Sequence, residues 1–269
     1  MSNSPRLYIN QPLHSYAASG ALLAVSSSQA HYLMHVLRLK HGGEVRVFNG
    51  ASGEWRARLV ASSQPKHNKR GDKKEVGLAI VECLRPAKTL PSLTLAFAPV
   101  KGRALEAIIR QGTELGVTKF VPMITEFCAV RVINHERLNL IALEAAEQCG
   151  RLCIPSIHEA VMLADFIAAT INDDDDGDSN GEGIIFCDEE GRGRAVPTLT
   201  QFLAGIVRAK KNMPSIILIG PEGGFSPKER EVLLAQRQVV AVSLGEAILR
   251  ADTATIVALG GWRMMHDAT

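Results

Sequence analysis

Ile216–Gln236 reads IILIGPEGGFSPKEREVLLAQ. Its apolar start has the length and branching of a buried strand. The strand runs straight into Gly220-Pro221-Glu222-Gly223-Gly224. Ser226, Pro227 and Glu229 then stand at the N-cap, N1 and N3 positions of a helix, a capping box with proline in its favoured place. The stretch therefore predicts strand, tight glycine loop, helix. In α/β sheets ligands lie at the carboxyl ends of strands, where such loops sit. The loop matches neither G-x-G-x-x-G nor G-x-x-x-x-G-K-[ST], so neither common nucleotide fingerprint applies. Read alone, a ligand loop and a structural turn are both open.

The next segment, Val242–Ala254 (VSLGEAILRADTA), repeats the arrangement. A strand ends at Gly245 and leads to a helix whose cap is expected at Asp252 or Thr253. Arg250 falls in the loop or the first helical turn, where the helix dipole disfavours a cation. It either reaches an anionic group or pairs with a carboxylate such as Glu222.

Upstream, the residues from about 86 alternate strands and helices. Strands are expected at Leu93–Ala98, Phe120–Ile124, Gly183–Cys187, Ser215–Ile219 and Val239–Leu244. Helices are expected at Gly102–Leu115, Leu138–Cys149 and Val161–Ile171. This alternation predicts a mostly parallel sheet covered by helices. Residues 1–85 read differently. Val45–Asn49 and Glu54–Ala61 flank a hairpin turn, Glu75–Leu84 is a further strand, and Ser28–Leu39 a helix. Arg85–Pro91, with two prolines, is the expected linker. The chain thus divides into a small β-rich domain, 1–85, and an α/β domain, 86–269.

Charge divides the same way. Residues 1–85 carry 12 lysines and arginines against 5 acids, and the remainder carries 18 against 23. A basic small domain fits a polyanion partner, or extra cations that only solubilise it. Pro65–Lys74 (PKHNKRGDKK) reads as a basic hairpin loop, and Asn172–Gly183 (NDDDDGDSNGEG) as an acidic surface insertion without chemistry. The five cysteines form no C-x-x-C pair, which fits reduced thiols in a cytoplasmic protein. No apolar run is long enough to span a bilayer, and MSNSPRLYIN lacks a signal h-region. His31 and His35 share a helix face but have no third ligand nearby, so no metal is expected.

Taken together, GPEGGFSPKE and LG-x-x-ILR-x-D-TA resemble the RsmE family, the 16S ribosomal RNA (uracil-N3) methyltransferases of the knotted SPOUT class. Gly112–Val117 (GTELGV), Glu144–Arg151 (EAAEQCGR) with Pro155, His31–Arg38 (HYLMHVLR) and Val47–Gly50 (VFNG) are similar to further stretches of the same family. The resemblance spans essentially the whole chain. Asp252 departs from the glutamate typical there, shortening the carboxylate's reach by about one methylene. The stretch from Arg131 to Glu144 is short, and the acidic insertion is extra.

The resemblance implies a trefoil-knotted, S-adenosylmethionine-binding domain preceded by a PUA-like β-barrel that holds RNA. It implies a homodimer acting on 16S ribosomal RNA or the small subunit, without a membrane or a metal. The cofactor site would draw on Leu218, Gly220, Pro221, Glu222, Gly223 and Gly224 from the first loop. From the second it would draw on Leu244, Gly245, Ile248, Leu249, Arg250, Thr253 and Ala254. Arg250 would stabilise the uracil anion, with Glu222 or Asp252 accepting the N3 proton or orienting Arg250. Arg110, Arg131, Gln148 and Arg151 would face RNA. A non-catalytic RNA-binding protein and a small-molecule α/β enzyme are the other classes. Comparing S-adenosylmethionine with ATP and NAD as ligands separates the three.

Overall fold

The computed structural model describes residues 4–61, 76–172, 183–189 and 196–267. The basic stretch Pro65–Lys74 and the acidic run Asp173–Glu182 lie outside the described residues. By internal packing the chain forms two units: Met1–Thr89 with Ala146–Ile154, and Leu90–Ala145 with Pro155–Thr269.

The first unit holds β1 (Arg6–Tyr8), α1 (Leu13–Ser19), β2 (Leu23–Ala24), α2 (Ser27–His31), β3 (Glu44–Asn49), β4 (Gly53–Ala61) and β5 (Val76–Arg85). They build a five-stranded sheet in the order β1-β3-β4-β5-β2, in which only the β1–β3 pair is parallel. Alternation along the strands sends Leu7, Val45, Val47, Ala57 and Leu59 to one face, where they pack with Leu13, Leu23, Leu33 and Leu78. Arg6, Arg46 and Arg56 take the opposite face. Arg85, expected in the linker, closes β5 instead.

The helix expected at Ser28–Leu39 starts earlier and changes pitch. Ser26, not Ser28, caps it in a full capping box with Gln29. At Tyr32–Val36 the backbone widens into a π-helical turn, and Arg38 then takes a left-handed φ of 54° that ends the run. His31 and His35 stack at 4.9 Å between ring centroids. Among the described residues no group of three or more potential ligands could hold a metal ion.

The second unit contains β6 (Thr94–Phe97), α3 (Arg103–Glu114), β7 (Lys119–Ile124), β8 (Ser156–Ile157), β9 (Val161–Met162) and α5 (Leu163–Asn172). It continues through β10 (Ile184–Cys187), α6 (Leu199–Arg208), β11 (Ile216–Ile219), α7 (Pro227–Leu234), β12 (Val239–Val242) and α8 (Ala251–His266). Helix α4 (His135–Cys149) runs from this unit into the first. The sheet order is β12-β10-β11-β6-β7-β8, with β9 beside β7, and every pairing is parallel. A buried parallel sheet demands strands apolar on both faces, and β11 is buried at all four positions. The expected helix Val161–Ile171 loses its first two residues to β9, because Val161 and Met162 extend along Met123 and Ile124.

One face of this sheet packs Val121, Met123, Phe186 and Leu218 against Leu163, Phe166 and Ile167 of α5 and Leu233 of α7. Burying each such large side chain contributes about 1.5–3 kcal/mol. Helix α8 packs against α3, α6 and β11. It is anchored where the Trp262 indole donates to the Pro214 carbonyl at 2.6 Å. No helix of the described residues is long and apolar enough to cross a membrane.

Candidate active site

Strands β10, β11 and β12 lie side by side in one register, Cys187 opposite both Ile219 and Val242. Their carboxyl ends are therefore level, and the chain leaves all three within one small area. The loops beginning at Asp188, Gly220 and Ser243 border one partly open cleft.

The glycine loop takes its shape from its own residues. Gly224 has φ +69°, a left-handed conformation, and its amide closes a turn onto the Pro221 carbonyl at 2.9 Å. Phe225 folds back beneath Gly220, so closely that a Cβ there would sit 2.6 Å from its ring. Its ring then meets Phe186 edge-on at 5.2 Å. The capping box at Ser226 and Glu229 is formed as expected, and Pro227 opens α7.

In the other loop Ser243 Oγ accepts from the Gly245 amide and donates to the Gly245 carbonyl, both at 3.2 Å. Gly245 adopts φ +121°, open to glycine and strained for other residues, with open space where a Cβ would stand. The expected cap is corrected here. Arg250 is the N-cap of α8, with extended backbone and no capping side chain, so Asp252 and Thr253 lie in the first turn. Asp252 instead accepts from the Thr253 amide at 2.9 Å. A carboxylate inside that turn suits the helix dipole.

Of the expected cofactor residues, Gly220, Pro221, Gly224, Leu244, Gly245, Leu249 and Ala254 line this one cleft. Leu218 is buried in β11 as sheet core. Glu222, Gly223, Arg250 and Thr253 are exposed beside the cleft without lining it, Asp252 is half-buried, and Ile248 is 65% exposed. No ion pair joins Arg250 to Glu222 or Asp252.

The cleft also has walls that sequence reasoning missed: Cys187, Asp188, Glu189, Phe225, Ser243, Ala247 and Ala251. The legible signal was two acids directly after a strand whose position was already expected. Asp188 is buried and grips Arg230, while the Glu189 carboxylate lies against Gly224. Burial pushes the Cys187 thiol up to about 12, so it stays a neutral thiol in the wall. Among the described residues no lysine, arginine or histidine lines the cleft.

Of the residues expected to face RNA, Arg110 and Arg131 belong to the second unit and are exposed. Gln148, exposed, and Arg151, half-buried, belong to the first.

A level set of parallel strand ends with two glycine loops defines an α/β enzyme that binds its ligand at the carboxyl edge of the sheet, and the RNA methyltransferase domain family matches residues 88–263. The RNA methyltransferase PUA domain matches residues 25–67. A ribosomal RNA small subunit methyltransferase E of Rickettsia conorii is 33% identical over 97% of this chain and 95% of its own length. That of Synechocystis is 32% identical over 89% of this chain and 72% of its own. A Legionella pneumophila protein classed as a methyltransferase, solved with bound S-adenosylmethionine, is similar at TM-score 0.71 and 26% identity, covering 98% of both chains. The methyltransferase E of Neisseria gonorrhoeae shares the fold at TM-score 0.71 and 23% identity, covering 97% of this chain and 98% of that one. The chain belongs to the ribosomal RNA small subunit methyltransferase E family.

Proposed function

We propose that this chain methylates N3 of a uridine in 16S ribosomal RNA, using S-adenosylmethionine. One observation carries the reading: two glycine motifs some twenty residues apart in sequence wall a single cleft at the ends of β10, β11 and β12. The lining suits that cofactor. Among the described residues its acidic groups are the Glu189 carboxylate and the Asp188–Arg230 pair, and S-adenosylmethionine carries a net positive charge. Backbone groups of the Gly220–Gly224 and Leu244–Gly245 turns would hold it, with Glu189 and the Asp188–Arg230 pair at the rim.

When bound, S-adenosylmethionine supplies a methyl group on a good leaving group. The remaining task is the nucleophile. Uracil N3 carries a proton, and losing it leaves an anion spread over O2 and O4. Arg250, exposed at the N-cap of α8 and unpaired with Glu222, would stabilise that anion. Glu222 or Asp252 would accept the proton or orient Arg250. N3 is on the base-pairing edge, so the uridine must be unpaired or flipped out. The basic first unit would hold the RNA.

We further propose a cytoplasmic homodimer with a trefoil knot in its second domain. Ile256, Val257 and Met264 expose apolar surface on α8, which supports a second copy there. Light scattering on the purified protein tests the dimer. Nucleoside mass spectrometry of ribosomal RNA from cells with and without the gene tests the reaction. Unchanged 3-methyluridine on deletion overturns the reading. Calorimetry in which ATP or NAD binds in preference to S-adenosylmethionine overturns the cofactor.

A further inference from the structure

Strand β7 runs out into a tight turn. The Cys128 amide donates to the Thr125 carbonyl at 3.2 Å, so Glu126 and Phe127 take the two corner positions. Thr125 and Cys128, on either side, are buried, and Cys128 packs against Ala98 and Ile124. The corner is held a second time. The Glu126 amide donates to one oxygen of Glu229 at 2.8 Å, and the other oxygen accepts from the Ser226 amide at 3.0 Å. One carboxylate thus fastens the turn after β7 to the capping box that closes the glycine loop.

Phe127 therefore stands where turns ordinarily carry polar residues. It is 47% exposed. The stem of its side chain lies along the glycine loop, since a Cβ built on Gly223 would meet Phe127 Cβ at 3.4 Å and Cγ at 3.9 Å. Among the described residues no other ring meets it. A single exposed apolar side chain ordinarily needs no explanation. Two features set this one apart. The backbone beneath it is pinned at both ends and from the side. Its neighbour Gly223 belongs to the loop whose Gly220, Pro221 and Gly224 line the cleft.

The second unit offers no comparable ring. Among the described residues its other phenylalanines and Trp262 are buried or half-buried. A uracil to be methylated at N3 must leave its stack, and losing that stacking costs energy. What replaces the lost neighbours has to touch the face of the base, because its edge carries the reacting nitrogen. An aromatic ring does this and leaves N3, O2 and O4 free.

We propose that Phe127 is the stacking platform for the target uracil, holding the base by its face beside the glycine loop. The proposal rests on the reading of the chain as a uridine-N3 methyltransferase. A phenylalanine on a pinned turn suits the task, since only two side-chain torsions are lost when a base settles on it. The ring carries no charge, so its contribution does not depend on salt as phosphate contacts do.

The test uses the full chain, tritiated S-adenosylmethionine, and small ribosomal subunits from cells lacking the gene or the 16S RNA extracted from them. Phe127→Ala should lower kcat/KM for the RNA substrate about ten- to hundredfold, the usual loss for one base stacked on one ring. Phe127→Tyr and Phe127→Trp should restore most of it. Phe127→Leu, apolar but without a ring, should not. The ratio to wild type should hold across a salt series. S-adenosylmethionine affinity, read by calorimetry, and melting temperature should stay at wild-type values in all four variants. Wild-type kcat/KM in Phe127→Ala overturns the proposal and leaves the methyltransferase reading intact. Full rescue by leucine, or a fall in S-adenosylmethionine affinity that matches the loss of rate, assigns Phe127 to packing of the glycine loop and also overturns it. Should the alanine variant fail to fold, leucine against tyrosine decides, and equal rates overturn the proposal. A wild-type protein that methylates N3 of uridine in neither substrate overturns the underlying reading instead.

Discussion

Arg230 grips Asp188 through two donors, Nε at 3.0 Å and Nη2 at 2.7 Å from the same Oδ2. The pair ties the first turn of α7, just past the glycine loop, to the carboxyl end of β10. Both side chains are largely buried, so removing one leaves the other's charge poorly solvated. Asp188→Ala should cost about 3–5 kcal/mol of stability and weaken S-adenosylmethionine binding with it. Urea unfolding beside calorimetry checks both, and an Asp188→Ala protein of wild-type stability contradicts the account.

Gly224 should be harder to replace than Gly223. Its φ of +69° is a strained conformation for other residues, and a Cβ there would also push the Glu189 carboxylate aside. Gly224→Ala should weaken cofactor binding at least about tenfold, or roughly 1.4 kcal/mol. At Gly223 a Cβ would make only ordinary contact with Phe127, at 3.4 Å. Gly223→Ala should be much milder. Equal affinities in the two variants would refute the assignment of the loop.

Arg250 should act on the chemical step rather than on the cofactor. Arg250→Ala should lower the single-turnover rate on the order of 10²–10³-fold while S-adenosylmethionine binds almost as before. Arg250→Lys should rescue only part, since a point charge does not reproduce a planar fork. Raising the pH should narrow the gap, because more N3 is then deprotonated without help. A full single-turnover rate in Arg250→Ala removes it from the mechanism.

Glu54 sets an acid limit on the first unit. Burial favours its protonated form, but hydrogen bonds from Arg6 and Arg85 outweigh that and hold the carboxyl below the ordinary value of 4.5. A depressed folded-state value gives stability that is present above 4.5 and lost as pH falls through the lowered value. Glu54→Gln should therefore be clearly destabilised at neutral pH, with the difference from wild type closing in acid. Melting curves across a pH series read this directly, and a constant difference would contradict it.

The sequence by itself determined most of the local structure. Apolar runs marked the strands, glycine marked the loops, and Ser226-Pro227-Lys228-Glu229 fixed the start of α7, because a capping box is satisfied within four residues. The order of motifs carried the family. What chain order does not encode is which strand lies beside which. Only the tertiary structure brought Asp188 and Glu189 to the glycine loop, because β10 lies between β11 and β12 in the sheet. Only it made Arg250 the cap of α8, since that helix starts at Ala251, one residue ahead of the nearest capping acid. The approach of Phe127 to Gly223 was equally invisible along the chain. A hydrogen bond between Glu126 and Glu229, 103 positions apart, ties the turn after β7 to the start of α7 and brings the two together.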